Sequence, residues 1–201
     1  MRLALGQLNA TIGDFAGNAA RIEALWKEAE AAKADLLLVP EMALCGYPPR
    51  DLLDRPSFLA ENARFLAELT RRSGRTALLA GTVLPNPSKT GKPLFNAAAL
   101  LRNGRVAAVA RKCLLPAYDV FDEVRHFEPA KAPTLARLAG RKVGLTICED
   151  CWDPDSPVFS DLAPGADLII NSSASPYHRG KGREREEIFR RVATAKGVPV
   201  A

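Results

Sequence analysis

Histidine is scarce in this chain. The 201 residues hold two, His126 and His178, and neither stands in the surroundings of a papain-like dyad partner. Cysteine is scarce too. The four present show no disulfide-framework spacing, which fits a reducing compartment. Cys148 and Cys151 nominally form a C-x-x-C pair, but no second pair accompanies them, so a zinc site or a thioredoxin-like redox pair is disfavoured. Cys45 and Cys113 read as small buried hydrophobes. No apolar run is long enough to span a bilayer. The N-terminus enters a strand-like pattern without a signal-peptide apolar region, so a cytoplasmic protein with no membrane partner is expected. Charge gives no strong lead. The net charge is +5, and the densest basic stretch, Arg179 to Glu187, is interleaved with acids and has no aromatics to stack on bases. A nucleic-acid partner is not expected. Lys89-Thr90-Gly91-Lys92 lacks the first glycine and following helix of a phosphate loop. Repeats and low-complexity segments are absent.

What is present is a chain with 47% hydrophobic residues, enough for one domain with a real core. Arg2 to Asn9 and Asp35 to Val39 read as strands. Asn18 to Lys33 reads as an amphipathic helix capped by Asn18, with Ile22, Leu25, Trp26 and Ala29 on one face. Ser57 to Ser73 reads as a second helix, capped by Ser57 and stopped by Gly74. Thr76 to Leu84 is an apolar strand. Phe95 to Arg102 and Arg105 to Lys112 form a hairpin across Asn103-Gly104, so the sheet is mixed. Lys112 to Ala139 reads as long and irregular, which inside a compact domain points to function. Val143 to Ile147 and Asp167 to Asn171 are buried strands, and Glu184 to Lys196 is a helix closed by Gly197. Val198 to Ala201 begins another strand. Such an ending leaves backbone groups unpaired unless the residues pair as an edge strand, and of the two a fragment of a longer polypeptide is the expectation.

Three chemically capable side chains follow strand-like runs. Glu41 follows Asp35 to Pro40, Lys112 follows Val106 to Arg111, and Cys148 follows Arg141 to Ile147. Open α/β sheets gather ligands and nucleophiles at strand ends. A thiolate attacks carbonyl carbons once a base has taken its proton. With histidine unsuited, a glutamate base and a lysine are the economical partners. On residue types alone, a buried cysteine, a surface lysine and a turn glutamate remain the plainer account.

The surrounding blocks carry more. Pro40-Glu41-Met42-Ala43-Leu44-Cys45-Gly46-Tyr47, Arg111-Lys112-Cys113-Leu114-Leu115-Pro116 and Thr146-Ile147-Cys148-Glu149-Asp150 resemble the nitrilase, or carbon–nitrogen hydrolase, superfamily. The resemblance implies an α-β-β-α sandwich with mixed sheets, pairing across a dimer interface with helices outside. It also implies a Glu41, Lys112, Cys148 triad. Leu44 to Leu53, Leu115 to Glu123, Cys148 to Trp152 and Asn171 to Tyr177 are more similar to the N-terminal glutaminase domain of glutamine-dependent NAD synthetases. That likeness covers residues 1–201 as one domain, truncated at its C-terminal end, and implies a synthetase domain downstream. By position it makes Tyr118, Ser175 and Lys181 glutamine contacts and Glu123 a second glutamate that positions the lysine. Loop anchor, turn residue and surface charge are the plainer roles for Tyr118, Ser175 and Lys181, and an ion pair with Arg125 for Glu123. Cys45 and Ser173 stand where Thr and Asn are more usual. Asp51 and Asp150 are expected to cap or brace loops.

The implied reaction is hydrolysis of the L-glutamine side-chain amide through a cysteine thioester. It needs no metal and no cofactor; ATP and Mg belong to the missing synthetase domain. A homo-oligomer is implied. The alternatives are a free-standing amidase or carbamoylase on another small amide, and an inactive truncated interaction module.

Overall fold

The computed structural model describes residues 1–153 and 155–201. Among the described residues, eight strands and four α-helices follow in this order: β1 Leu3–Leu5, α1 Phe15–Ala31, β2 Leu36–Leu38, α2 Pro56–Arg72, β3 Ala77–Pro85, β4 Leu94–Arg102, β5 Arg105–Arg111, β6 Thr134–Leu138, β7 Arg141–Ile147, α3 Pro157–Leu162, β8 Leu168–Ser172 and α4 Lys181–Lys196. They form two sheets, ordered β1-β2-β3-β4-β5 and β6-β7-β8. In the first, β1, β2 and β3 are parallel and β3, β4 and β5 antiparallel. In the second, β6 and β7 are antiparallel and β7 and β8 parallel.

Strand alternation sorts the apolar side chains into layers. Leu36, Leu38, Leu79, Ala98 and Leu100 face Leu138, Leu145, Ile147 and Ile170, which fills the space between the sheets. Their neighbours Leu37, Val39, Leu78, Ala80 and Leu101 face the opposite way, under Phe15, Ile22 and Trp26 of α1 and Phe58, Leu66 and Leu69 of α2. On the far side, Ile169 packs against Val158, Phe159 and Leu162 of α3 and Val192 of α4. The result is the expected α-β-β-α sandwich with mixed sheets. Strands apolar on both faces are what a doubly covered sheet demands. No helix among the described residues is long and apolar enough to cross a membrane.

The predicted Asn103-Gly104 hairpin forms, with φ of 51° and 74°. Both values are positive, as a two-residue turn matching strand twist requires. Several boundaries moved. Asn18 is not the cap of α1; Asp14 accepts from the Gly17 N–H. Asn18 lies fully buried one turn in, bonding Thr11 through both amide ends and the Leu44 carbonyl. Likewise α2 begins at Pro56 after Arg55, without a side-chain cap from Ser57, and Ser73 rather than Gly74 ends it. Proline suits that first position because its missing N–H would have had no partner. The long irregular stretch contains β6, and α3 was not foreseen at six residues. Val198 to Ala201 pairs at a sheet edge, one of the two alternatives its sequence left open. Ile169 donates to Pro199 O and Ala201 donates to Ile169 O, both at 2.9 Å, so the segment runs parallel beside β8.

One close approach positions the site. Gly81 of β3 lies directly beneath the turn that follows β2. A Cβ there would stand 2.3 Å from both Met42 N and Pro40 O and 2.8 Å from Glu41 C. Those are backbone atoms and cannot swing aside. Gly81→Ala is expected to destabilise by about 1–3 kcal/mol, as overpacking does. Urea denaturation of this variant beside Ala80→Gly, which only removes a methyl, checks it. Equal stability of Gly81→Ala and the parent would show that the turn moves freely.

Candidate active site

Three strand ends meet at one end of the inter-sheet layer. The turn after β2 is closed by Ala43 N to Pro40 O at 3.1 Å and Gly46 N to Met42 O at 2.8 Å, and Leu44 N donates to Gly81 O. It turns Glu41 inward, where the residue is 2% exposed. Lys112 continues past β5, held by its N–H on Asn96 O at 2.9 Å, and is 0% exposed. Cys148 directly follows β7 and opens a short 3-10 turn with φ +44°, left-handed backbone uncommon for a side chain with a Cβ. Such backbone costs of order 1–3 kcal/mol and persists where the surroundings over-determine it.

Asp150 supplies that determination. One of its oxygens accepts from Cys113 N at 2.9 Å and Leu114 N at 2.8 Å, and the other from Ile147 N at 3.0 Å. The carboxyl ties the cysteine turn to the two residues after Lys112, the bracing role expected of it. Burial pushes its pKa up to about 6, against the three N–H donors. Asp51, the other expected brace, is exposed and pairs with Arg125 at 3.0 Å. Asp51, Asp54 and His126 have donor atoms within 4.8 Å of one another, but the Arg125 guanidinium already supplies that cluster's cation.

At the centre, the Lys112 ammonium contacts Glu41 Oε1 at 2.8 Å and Glu123 Oε1 at 2.7 Å. Asn96 Nδ2 donates to Glu41 Oε1 at 2.7 Å and to Glu123 Oε2 at 3.2 Å. Tyr47 donates its hydroxyl to Glu123 at 2.9 Å. Glu123 thus accepts two donors on Oε1 and one on Oε2, and it pairs with Lys112 rather than Arg125. Glu41 Oε2 carries a single donor, Ala174 N at 3.2 Å, and keeps a free acceptor site.

The electrostatics follow from burial. Desolvation works to lower the Lys112 pKa, but the carboxylates of Glu41 and Glu123 outweigh it and hold the ammonium charged. Glu123 is raised by burial and by the charge of Glu41, against Lys112 and Asn96. Cys148, 2% exposed, is raised by burial and then by Glu41, against Lys112 and a hydrogen bond from the Ser173 side chain. At rest the sulfur is a thiol beside a carboxylate and an ammonium.

Tyr118, Ser175 and Lys181 do not reach this centre; they stand around it. Tyr118 is 55% exposed and donates to both oxygens of Glu149 at 3.0 and 2.9 Å. Ser175 follows Ala174 and accepts from Arg185 at 2.7 Å. Lys181 opens α4 with its ammonium 3.8 Å above the Trp152 ring. A cavity of about 390 Å³ reaches Glu123 and Tyr47 from the side, but Cys148 is not in its lining. Sequence reasoning missed Asn96 and Tyr47. Asn96 is the one polar residue inside the apolar run Leu94 to Leu101, a signal that was there to read. Tyr47 was visible in a motif without a role.

The chain matches the description Carbon-nitrogen hydrolase over residues 2–201. It belongs to that family. A glutamine-dependent NAD(+) synthetase of Synechocystis is 42% identical over 98% of the chain and 38% of its own length. One of Thermotoga maritima is 46% identical over 90% of the chain and 31% of its own length. The chain thus spans about a third of the curated relatives it matches. Among solved structures, the glutamine-dependent NAD+ synthetase of Acinetobacter baumannii aligns with a TM-score of 0.90 at 29% identity, over 98% of this chain and 37% of that one. An amidase of Nesterenkonia sp. aligns with a TM-score of 0.80 at 25% identity, over 100% and 76%. A carbon–nitrogen hydrolase domain homologous to the amide-hydrolysing part of these synthetases therefore carries the buried cluster described above.

Removing the cation tests how that cluster is held. Lys112→Met leaves two buried carboxylates facing each other and is expected to cost about 3–5 kcal/mol at pH 7. Glu123, already raised, rises further without the ammonium. A raised folded-state pKa gives stability that is present below the unfolded value of about 4.3 and is lost as pH rises. The deficit should therefore be smallest near pH 4 and grow toward pH 7 in urea titrations. A deficit independent of pH would mean that packing, not charge, was lost.

Proposed function

We propose that this chain hydrolyses the side-chain amide of L-glutamine to glutamate and ammonia, as the ammonia-supplying part of a glutamine-dependent NAD synthetase. The observation that carries the reading is the Lys112 ammonium locked between Glu41 and Glu123 beside a thiol at a strand exit. Glu41, whose Oε2 carries only the Ala174 N–H, takes the Cys148 proton. The thiolate attacks the amide carbon, and Lys112 with a backbone N–H after Cys148 holds the oxyanion. Glu41 returns its proton to the departing ammonia, leaving a glutamyl thioester. It then takes a proton from water, whose oxygen attacks the thioester, and gives that proton back to the sulfur as glutamate leaves. Glu123 accepts throughout and positions Lys112. No metal or organic cofactor enters these steps. Oxidation of Cys148 would remove the nucleophile.

The rim supports an amino-acid substrate. Glu149, carrying the Tyr118 hydroxyl, presents a negative charge, and Lys181 presents a positive one. Opposite charges near the cluster suit a zwitterion, and Ser175 adds a hydroxyl. Relatives about three times as long support a downstream synthetase domain as partner, which would use ATP and Mg to amidate nicotinic acid adenine dinucleotide. A homo-oligomer in the cytoplasm belongs to the same reading.

Comparing hydrolysis of L-glutamine, L-asparagine and N-carbamoyl-β-alanine tests the substrate. A clear preference for glutamine is expected; equal or better turnover of another amide sinks this assignment in favour of a free-standing amidase. Cys148→Ala is expected to abolish turnover with folding retained, and Glu41→Gln to lower kcat by about 10²–10⁴-fold. A glutamine-mimicking diazoketone should add one equivalent of mass at Cys148. Absence of labelling would favour an inactive interaction module.

A further inference from the structure

Residues 173–175 link the catalytic cluster to α4 one residue at a time. Ser173 lies beside Cys148 and works to lower its pKa, the Ala174 N–H donates to Glu41 Oε2 at 3.2 Å, and Ser175 Oγ accepts from Arg185 Nη2 at 2.7 Å. Arg185 lies one turn beyond Lys181, so the two cations share a face of α4. They are not equally satisfied. Lys181 has Glu184 at 3.4 Å and the Trp152 ring below it. Among the described residues, no carboxylate pairs with Arg185, and its buried Nε has no hydrogen-bond partner. A guanidinium offers five donors in a fixed fork and matches a carboxylate through two of them. Leaving such donors without acceptors beside a reaction centre is costly unless a ligand completes them. The bond to Ser175 also has a direction. Having accepted from a cation, the Ser175 hydroxyl keeps its own proton free to donate, and so suits an acceptor on the substrate.

We infer that Arg185 reads the free carboxylate of the substrate, supplying donors directly and turning Ser175 into a donor toward the same group. This rests on the amide hydrolysis proposed above and adds a requirement: the amide must carry a carboxylate at its far end. Arg185 is a recognition residue and takes no part in proton transfer.

The test compares L-glutamine with its α-carboxamide, which keeps the scissile amide and the amine but lacks the negative charge. In the wild type, kcat/KM should favour L-glutamine. Arg185→Met should raise KM for L-glutamine by roughly 10- to 100-fold, the usual worth of a charged hydrogen bond. Its kcat should hold within a few fold, and turnover of the carboxamide should be little changed. Arg185→Lys should restore part of the loss. Equal loss on both substrates would reduce Arg185 to a clamp on the 173–175 turn and overturn the inference, as would no loss on either. Calorimetric binding of the same two compounds to Cys148→Ala, alone and with Arg185→Met, repeats the comparison without turnover. Equal affinity of Cys148→Ala for both overturns the inference and leaves the glutaminase reading standing. If the wild type prefers another carboxylate-bearing amide, the glutamine reading fails, and that amide with its carboxamide serves for Arg185 in the same way.

Discussion

A single buried ammonium organises this molecule's chemistry. Lys112 has no contact with solvent, and an unpaired charge so placed would be untenable. It is held because Glu41 and Glu123 stand at 2.8 and 2.7 Å, each further fixed by Asn96. Those groups come from the turn after β2, from β4 and from the loop after β5. None is near another in sequence except Glu123 and Lys112. The ion triad therefore forms only when the first sheet and the long loop are both in place, and it binds the two together. A buried triad is weak evidence for added stability, since desolvation consumes much of the attraction. What it secures is geometry: a cation and a carboxylate fixed relative to each other before any substrate arrives.

The second sheet must then be brought to that pair. Asp150 does this with three backbone N–H donors, two from the strand exit that carries Lys112 and one from the end of β7. The Ser172 hydroxyl adds a bond from β8 to Val39 O, next to the Glu41 turn. These ties cross the inter-sheet layer at the end that holds Glu41, Lys112 and Cys148. Elsewhere that layer is leucine, isoleucine and alanine, which fix the distance between sheets but allow sliding. The polar ties fix register, and the left-handed backbone at Cys148 is the local cost of aiming the sulfur.

Much of this was legible in the sequence, for identifiable reasons. The apolar strands are read correctly because burial on both faces leaves little room for polar residues. Asn103-Gly104 announces its turn through φ alone. Glu41, Lys112 and Cys148 are visible because each breaks an apolar run at its end. What escaped depends on partners far along the chain. Asn18 looks like a cap by residue type, yet it is buried and spans to Leu44, while Asp14 caps. β6 is hidden because its pattern of Leu135, Arg137 and neighbours gains meaning only beside β7. Asn96 and Tyr47 take their roles from Glu123, 27 and 76 residues away. Periodicity reports what a segment buries, and says little about which distant group a polar side chain will meet.

The charge count of the cluster explains why the Cys148 sulfur is quiet at rest. Two carboxylates face one ammonium, so the site already holds an excess negative charge before the thiol is considered. Ionising Cys148 would add another in a desolvated place, which is why burial and Glu41 together raise its pKa. Oxidants attack thiolates, so the resting sulfur is sheltered by the same electrostatics. In the reaction proposed here, the thiol proton moves to Glu41 and removes one carboxylate charge while the new charge appears on the substrate oxygen near Lys112. The total does not change; it is relocated from Glu41 to the oxyanion. An amide carbonyl in place is what makes that relocation possible, so the arrangement couples reactivity to occupancy without any moving lid.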